Sequence, residues 1–421
     1  EFDTNVSDWE AEIPEVLSTL ELKDATINIG ESETLIPNLI PSNAGVTYEW
    51  VSSDVNIATV ANGVVTANAT TEGTATITVT AKDGVTSLAT ATCEVTVTED
   101  DNAIIHFQDD VFREVLLNKY HGIDVSGDNE ISKSEAKDYT GEINVDGVGI
   151  TSLDGIQYFT NITTISCNKN NINGSLDFSN NTLLENISCF TNNLSSINVS
   201  NNIKLINFVC ANNILESINI EGNPDLDTFI CAQNRLKTLD VSFNLKLTNL
   251  NCNVNPQLNE INLNSNDELL GLECSGTNIS VLDLSGNLKL TDLGIGNTPI
   301  ENIDLAYNVK LKHLSCTESE IGELNLESNL LLANLECSGT RIRSLNLKNN
   351  VALIVLKCSN CDGLRDSGPS ETAEKLDLRR NDKLQEFECI GLPGISEILV
   401  WPAFEENDSV YQKDAGTSFV K

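Results

Sequence analysis

From about residue 143 to 400, leucine and isoleucine return at fixed intervals along this chain. One stretch runs Leu247-Thr-Asn-Leu250-Asn-Cys252-Asn-Val-Asn255-Pro-Gln-Leu258-Asn-Glu-Ile261-Asn-Leu263-Asn-Ser-Asn266. Within each L-x-C or L-x-L, apolar and polar residues alternate, the period-two signature of a strand with one face inward. Each patch then ends in asparagine, a residue that bonds the backbone of a bend. The unit is nested, about 10 residues to one Asn and 11 to the next. Both halves look strand-like, which predicts extended segments on two faces and weak curvature. A unit this short cannot bury its apolar face alone, so neighbours must stack into one elongated core.

Cysteine marks the register. Ten of the twelve sit at 167, 189, 210, 231, 252, 274, 316, 337, 358 and 389, with Ile295 filling the skipped slot. One interval is longer by about ten residues, the polar run from Asp362-Gly363 to Glu374. The second Asn recurs at 181, 202, 223, 244, 266, 287, 308, 329, 350 and 381. The first is Asn170, Asn192, Asn213, Asn234 and Asn255, then Thr277, Thr298, Ser319, Thr340 and Cys361. A slot that accepts Ile for Cys is a packing position, so buried thiols are expected. Stacked side chains also point the same way, which is poor geometry for a disulfide. Cys358-Ser-Asn-Cys361 has the spacing of a metal or redox pair. The repeat explains it more simply, with Cys358 in the core slot and Cys361 in the turn slot.

This pattern, LxxLxCxxNxLxxLDLxxNxx, resembles the leucine-rich-repeat family, and within it the bacterial nested 21-residue subclass called IRREKO. A unit from Ile143 through Phe159 looks like the first coil, giving about twelve coils in all. At roughly 4.8 Å per coil they would span about 55 Å. The resemblance implies a mainly β chain with a right-handed solenoid over 143–400 and a C-terminal cap over 401–421.

Residues 20–99 differ in character: β-branched, Thr-rich and broken by turn signals every eight to twelve residues, as in a β-sandwich. The markers include Tyr48-Glu-Trp50-Val-Ser-Ser-Asp54, Gly73-Thr-Ala-Thr-Ile-Thr-Val-Thr-Ala81 and Ala91-Thr-Cys93-Glu-Val-Thr-Val97. They resemble the bacterial immunoglobulin-like group 2 domain, commonly a spacer or adhesion module of exported proteins. Trp50 is expected as the core tryptophan of a middle strand. Cys93 stands alone, without an intersheet disulfide. Residues 1–19 are acidic and read as a linker or tether.

Between the two lies a helical cap, residues 100–142, with apolar positions Ile104, Phe107, Val111, Val115 and Leu116 near helical spacing over 103–120. It leads into Asp124-Val-Ser126-Gly-Asp128-Asn129-Glu130-Ile131-Ser132-Lys-Ser-Glu135, which resembles a single EF-hand loop. The resemblance implies a calcium ion held by Asp124, Ser126, Asp128, the Glu130 carbonyl, Ser132 and Glu135. Asn129 departs from the expected Gly, and Ser126 carries no charge. The expectation is a structural calcium clip joining helix to first coil, or else a plain helix-loop cap.

Charge narrows the partners. The 421 residues hold 25 Lys+Arg against 62 Asp+Glu, a net charge of −37. Such a chain repels phosphate backbones and anionic headgroups, which argues against nucleic acid and polybasic membrane binding. No apolar run is long enough to span a bilayer. The start is not a signal peptide, and the repeats favour an exported chain whose leader has been trimmed, compatible with an outer-membrane lipoprotein. Three histidines and no glycine-rich phosphate loop leave little for catalysis, so no enzyme is expected. In the outward columns beside the inward Leu and Cys, Phe190, Val209, Ala211, Ile230 and Ala232 form an apolar strip. Farther along, those columns are expected to carry Glu273, Asp292, Glu318 and Glu336. The expectation is a monomeric surface or secreted adhesion protein binding a protein or peptide with an apolar anchor and basic flank. The alternative is a structural scaffold or glycan-handling component of a surface assembly.

Overall fold

A computed structural model describes residues 18–42, 45–361, 375–392, 395–407 and 410–421. Most of the expected linker and the polar run from Asp362 to Glu374 lie outside the described residues. The chain divides into two compact units, 1–103 and 104–421. The boundary places the helical cap with the repeats.

The first unit is a sandwich of short strands: β1 (Thr19–Glu21), β2 (Ala25–Asn28), β3 (Ser32–Thr34), β4 (Asn38–Ile40), β5 (Thr47–Ser52), β6 (Ala58–Ala61), β7 (Val64–Ala67), β8 (Gly73–Asp83) and β9 (Thr86–Thr98). One sheet has the order β2-β9-β8-β5, another β3-β7-β6, and β1 pairs with β4. Alternation fills the space between them: Ala75, Ile77, Cys93, Val95 and Val97 face inward against Ala58, Val65 and Ala67. Trp50 departs from expectation. Its strand β5 is a sheet edge, paired only with β8, and the ring is half-buried. It still belongs to the core, touching both apolar clusters of the unit. Gly63 lies against it: at φ +83° an added Cβ would stand 3.3 Å from the indole.

The second unit starts with two short helices. The expected helix over 103–120 is shorter: α1 spans Asp110–Lys119, because Asp109 caps it by accepting from the Phe112 amide. Ile104 instead bridges to Ser132, and the Ile105 amide donates to the Ile131 carbonyl. The second helix, α2 (Lys133–Asp138), begins in a reciprocal capping box of Ser132 and Glu135. Asp109 also accepts from the Thr151 amide and hydroxyl, which ties the cap to the first coil.

The coils follow in register. A parallel sheet of thirteen strands runs from Ile143–Asn144 to Tyr411–Lys413. Its central row is Phe208, Phe229, Leu250, Leu272, Leu293, Leu314, Leu335, Leu356 and Phe387, each the direct partner of the next. All are buried, and each such side chain removed from water contributes about 1.5–3 kcal/mol. The sheet is made by the L-x-C half. The expectation of strands on both faces holds only at the ends, where Asn173–Asp177 pairs with Asn193–Asn198 and Lys375–Asp377 with Glu397–Leu399. Between them the second halves touch through isolated bonds, such as Arg235 N to Leu215 O at 2.9 Å. At the far end Phe404 packs against Trp401, Tyr411 and Phe419 at 5.0, 5.0 and 4.8 Å, a ring cluster that closes the core.

Candidate functional site

The turn slots hold the coils together, and they do so in two ways. Asn213 donates to the carbonyls of Cys210 and Cys189, both at 3.1 Å, while its Oδ1 accepts from the Leu194 amide at 3.0 Å. Asn234 and Asn255 repeat the arrangement one coil on. Thr277, Thr298, Ser319 and Thr340 each donate one bond, to the carbonyl three residues back. Cys361 fills the same slot, its single thiol proton within reach of Cys358 O at 3.1 Å and Cys337 O at 3.3 Å. The second Asn ladder is uniform: Asn244, for example, donates to Ile220 O and Asn223 O of the preceding coil.

One feature of these turns is marked only in part by the sequence. The residue before each first slot is left-handed: Lys169, Thr191, Asn212, Gln233, Val254, Gly276, Asn297, Glu318, Gly339 and Asn360, at φ from +49° to +70°. Two of them, Thr191 and Val254, are β-branched, the type least suited to that conformation.

All twelve cysteines are buried free thiols. Burial pushes the repeat thiols such as Cys252 and Cys316 up to about 12, and at Cys337 and Cys358 a neighbouring thiol's hydrogen bond adds the largest push, so these groups are neutral and unreactive while folded. Cys358 and Cys389 come within 2.7 Å, Sγ to Sγ, where the long unit brings two core slots side by side.

The outward face of the sheet is the surface on which the apolar strip lies. Val209 and Ile230 are direct partners on adjacent strands. Phe190, Ala211 and Ala232 form the neighbouring column, linked through Thr191 N to Ala211 O and Asn212 N to Ala232 O. All five are half-buried, their sides covered by one another. The Lys169 ammonium lies 5.8 Å from the centre of the Phe190 ring. Farther along, the Val209 column continues as Asn251, Glu273, Gly294, Ser315 and Glu336. The four expected acids do not share columns. Glu273 and Glu336 lie in this one, Asp292 stands two residues earlier on its strand, and Glu318 sits in the left-handed turn. Burial raises the Glu273 carboxyl, as does Asp292, against the Asn253 amide that favours its charge. It lies over Gly294, where an added Cβ would collide with it. His313 is exposed, 3.9 Å from Asp292.

The EF-hand-like loop is wrapped around its first residue. Asp124 accepts from the Gly127 and Asn129 amides at 2.7 and 3.0 Å, and Asp128 from the Glu130 amide at 2.9 Å. Asn129 does adopt the left-handed turn, at φ +66°. Glu135 is already engaged by the Ser126 amide and by the Ser132 amide and hydroxyl. Burial opposes its charge, but these bonds outweigh that and hold the carboxyl down at about 2. The Glu130 side chain turns away toward Arg113, at 3.5 Å. The oxygens suit a hard cation, yet no three acidic, His or Cys side chains among the described residues stand together as an ion-holding group. For Glu135 to join an ion it would have to release Ser126 and Ser132.

Residues 18–95 match the family described as bacterial Ig-like domain (group 2). No curated protein matches the chain. Among solved structures it is similar to the functional domain of InlJ from Listeria monocytogenes, described as including a cysteine ladder, with 26% identity and a TM-score of 0.61. That likeness covers 69% of this chain and 66% of that one, so the chain spans a little under two thirds of its length. It is also similar to the internalin inlF from Listeria monocytogenes, at 17% identity and TM-score 0.46 over 74% of this chain and 95% of that one. The Leptospira interrogans leucine-rich-repeat protein LIC12759 is similar at 14% identity and TM-score 0.38, over 69% and 97%. No helix among the described residues is long and apolar enough to cross a membrane. The first unit thus carries a group 2 bacterial immunoglobulin-like domain, and the second is a parallel β-solenoid of about twelve coils, like that of leucine-rich-repeat proteins, built on a ladder of buried cysteines.

Proposed function

We propose that this chain is a non-catalytic adhesion or protein-binding component of a bacterial surface, exported and outside the cytoplasm. The observation that carries the reading is the strip on the sheet: Val209 and Ile230 abut on adjacent strands beside Phe190, Ala211 and Ala232, where later coils present polar residues. An apolar patch with Glu273 two strands farther along the same column suits a protein or peptide with an apolar anchor and a basic flank, whereas Glu336, five strands on, is already paired with Lys357 at 2.9 Å. The likeness to an internalin-type solenoid supports surface recognition, and the group 2 domain supports a spacer that presents it. The chain acts as a monomer in this reading and takes no nucleic acid.

The test is a pull-down from host and bacterial surface extracts with the wild type and with Val209→Glu/Ile230→Glu. The double variant should keep its circular dichroism and melting temperature and lose the captured protein. Capture that persists would defeat the strip. Calcium at the EF-hand-like loop is a separate proposal, favoured by the left-handed Asn129. Because Glu135 must first leave Ser126 and Ser132, binding would be weak. Calorimetry with calcium chloride that gives no heat, and no shift in melting temperature, would reject it.

A further inference from the structure

Near the C-terminal end of the solenoid cations gather locally, although residues 375–421 as a whole still hold more acids than bases. Arg379, Arg380, Lys348 and Lys383 border two adjoining concavities of about 500 and 620 Å³, in a chain of net charge −37. Asp377 grips Arg379 in a two-pronged contact, Nε to Oδ1 at 2.9 Å and the Nη2 nitrogen to Oδ2 at 2.7 Å, which fixes the plane of the guanidinium. Arg380 and Lys383 are exposed and make no ion pair among the described residues, although Arg380 favours the charge of nearby Asp377, Lys348 pairs with Glu327 at 3.6 Å, and Asp382 shares the wall of the larger concavity. The far wall of that concavity is Trp401, half-buried against Phe404, followed by Pro402. Trp401 is the one tryptophan of the second unit.

We infer that this end of the solenoid binds a compact anionic sugar, a saccharide unit bearing a carboxylate or sulfate. Each part of the site matches one part of that ligand. Guanidinium forks bind carboxylate or sulfate through paired, charge-assisted hydrogen bonds. A tryptophan beside a proline offers an apolar wall to the C–H face of a pyranose, with a polar rim around it. The concavities are in the size range of small-molecule sites rather than a groove for an extended chain. The chain's own charge selects further. A long polyanion would run off the cationic patch onto acidic surface, whereas a short ligand feels only the local cations within a screening length of about 8 Å. The site is independent of the apolar strip on the sheet, and either can fail without the other.

The probes are short oligosaccharides ending in glucuronic acid, the same chains bearing sulfate, and their neutral glucose counterparts. A short glutamate-rich peptide of equal charge is the fourth probe. All are titrated into the full chain by calorimetry at low and at physiological salt. The acidic sugars should bind, more weakly as salt rises, and the neutral sugar at least about tenfold more weakly. Arg380→Ser/Lys383→Ser, which alters only exposed side chains, should lose that preference while Val209→Glu/Ile230→Glu keeps it. Trp401→Phe should weaken both sulfated and carboxylated sugars, with the Ser pair still informative if that variant unfolds. Preference for carboxylate or for sulfate identifies the source of the charge. Equal binding of neutral sugar, binding of the acidic peptide alone, no binding, or binding unmoved by the Ser pair would each overturn the inference.

Discussion

The two stretches of solenoid on either side of residue 260 share one repeat but solve their turns differently. In the earlier coils, Asn192, Asn213, Asn234 and Asn255 each make two hydrogen bonds to the preceding coil, beside one to the carbonyl three residues back in their own. In the later ones, Thr277 to Thr340 donate one bond within their own coil. The residue before the slot changes in step. Early coils hold Lys169, Thr191, Asn212, Gln233 and Val254 in the left-handed conformation, and only Asn212 is suited to it. Later coils place Gly276, Asn297, Gly339 and Asn360 there, with Glu318 the exception. A strong cross-link tolerates a strained turn, and a weak one comes with residues that bend freely. The repeat is thus conserved in geometry while the source of that geometry shifts along the chain.

The largest test of this contrast is Asn213→Ala. It strands the Leu194 amide and thins two carbonyl contacts in a buried turn, so urea unfolding should show a loss of about 3 kcal/mol. Next in size is acid. Glu135, held at about 2 against an ordinary value of 4.5, stabilises the cap fully above 4.5, and that stabilisation is lost as pH falls from 4.5 toward 2. Hydrogen exchange should therefore loosen α2 and the first coil before the Thr coils; uniform loosening would refute this. Thr298→Ala forfeits only the bond to Ile295 O and should cost about 1 kcal/mol. A loss equal to that of Asn213→Ala would erase the distinction between the two stretches. Smallest is Val254→Gly, at an exposed left-handed position. Relief of about 1–2 kcal/mol of strain less about 0.5–1 of chain entropy should raise stability slightly. A fall in melting temperature would show that the Asn255 turn carries no strain.

Much of this was legible in the residues. The spacing of cysteine and asparagine set the register, and Cys361 occupies the turn slot that the repeat assigned to it, reaching Cys358 O as the threonines reach their own cysteines. The sheet-forming half was not legible, because L-x-C and L-x-L alternate alike; the difference lies in which half forms a continuous ladder of backbone bonds. The left-handed turns were half legible: Gly276, Asn297, Gly339 and Asn360 signal positive φ in the later coils, whereas Lys169, Gln233 and Val254 give no hint of it in the earlier ones. Helix α1 fell short of its apolar spacing because the Asp109 cap lies inside it. On the sheet, outward residues proved half-buried, since in-register stacking makes each column its own cover. The cationic patch was invisible for a simpler reason: Lys348 and Trp401 lie far from Arg380 in sequence, and each is brought beside it only when the last coils stack.

A stack of equal rungs has no inherent length, and a bare terminal strand is a template for another chain. Here the first rung is stoppered. The Tyr120 hydroxyl accepts from the Asn144 amide at 2.6 Å and donates to its carbonyl at 2.8 Å, and Lys119 donates to the same carbonyl at 2.6 Å. Lys119, the last residue of α1, and Tyr120, which caps it, thus occupy the hydrogen-bonding positions that a foreign strand would need. Without them the first rung would invite end-to-end fibres, so α1 sets where the polymer of repeats begins as well as holding its core closed.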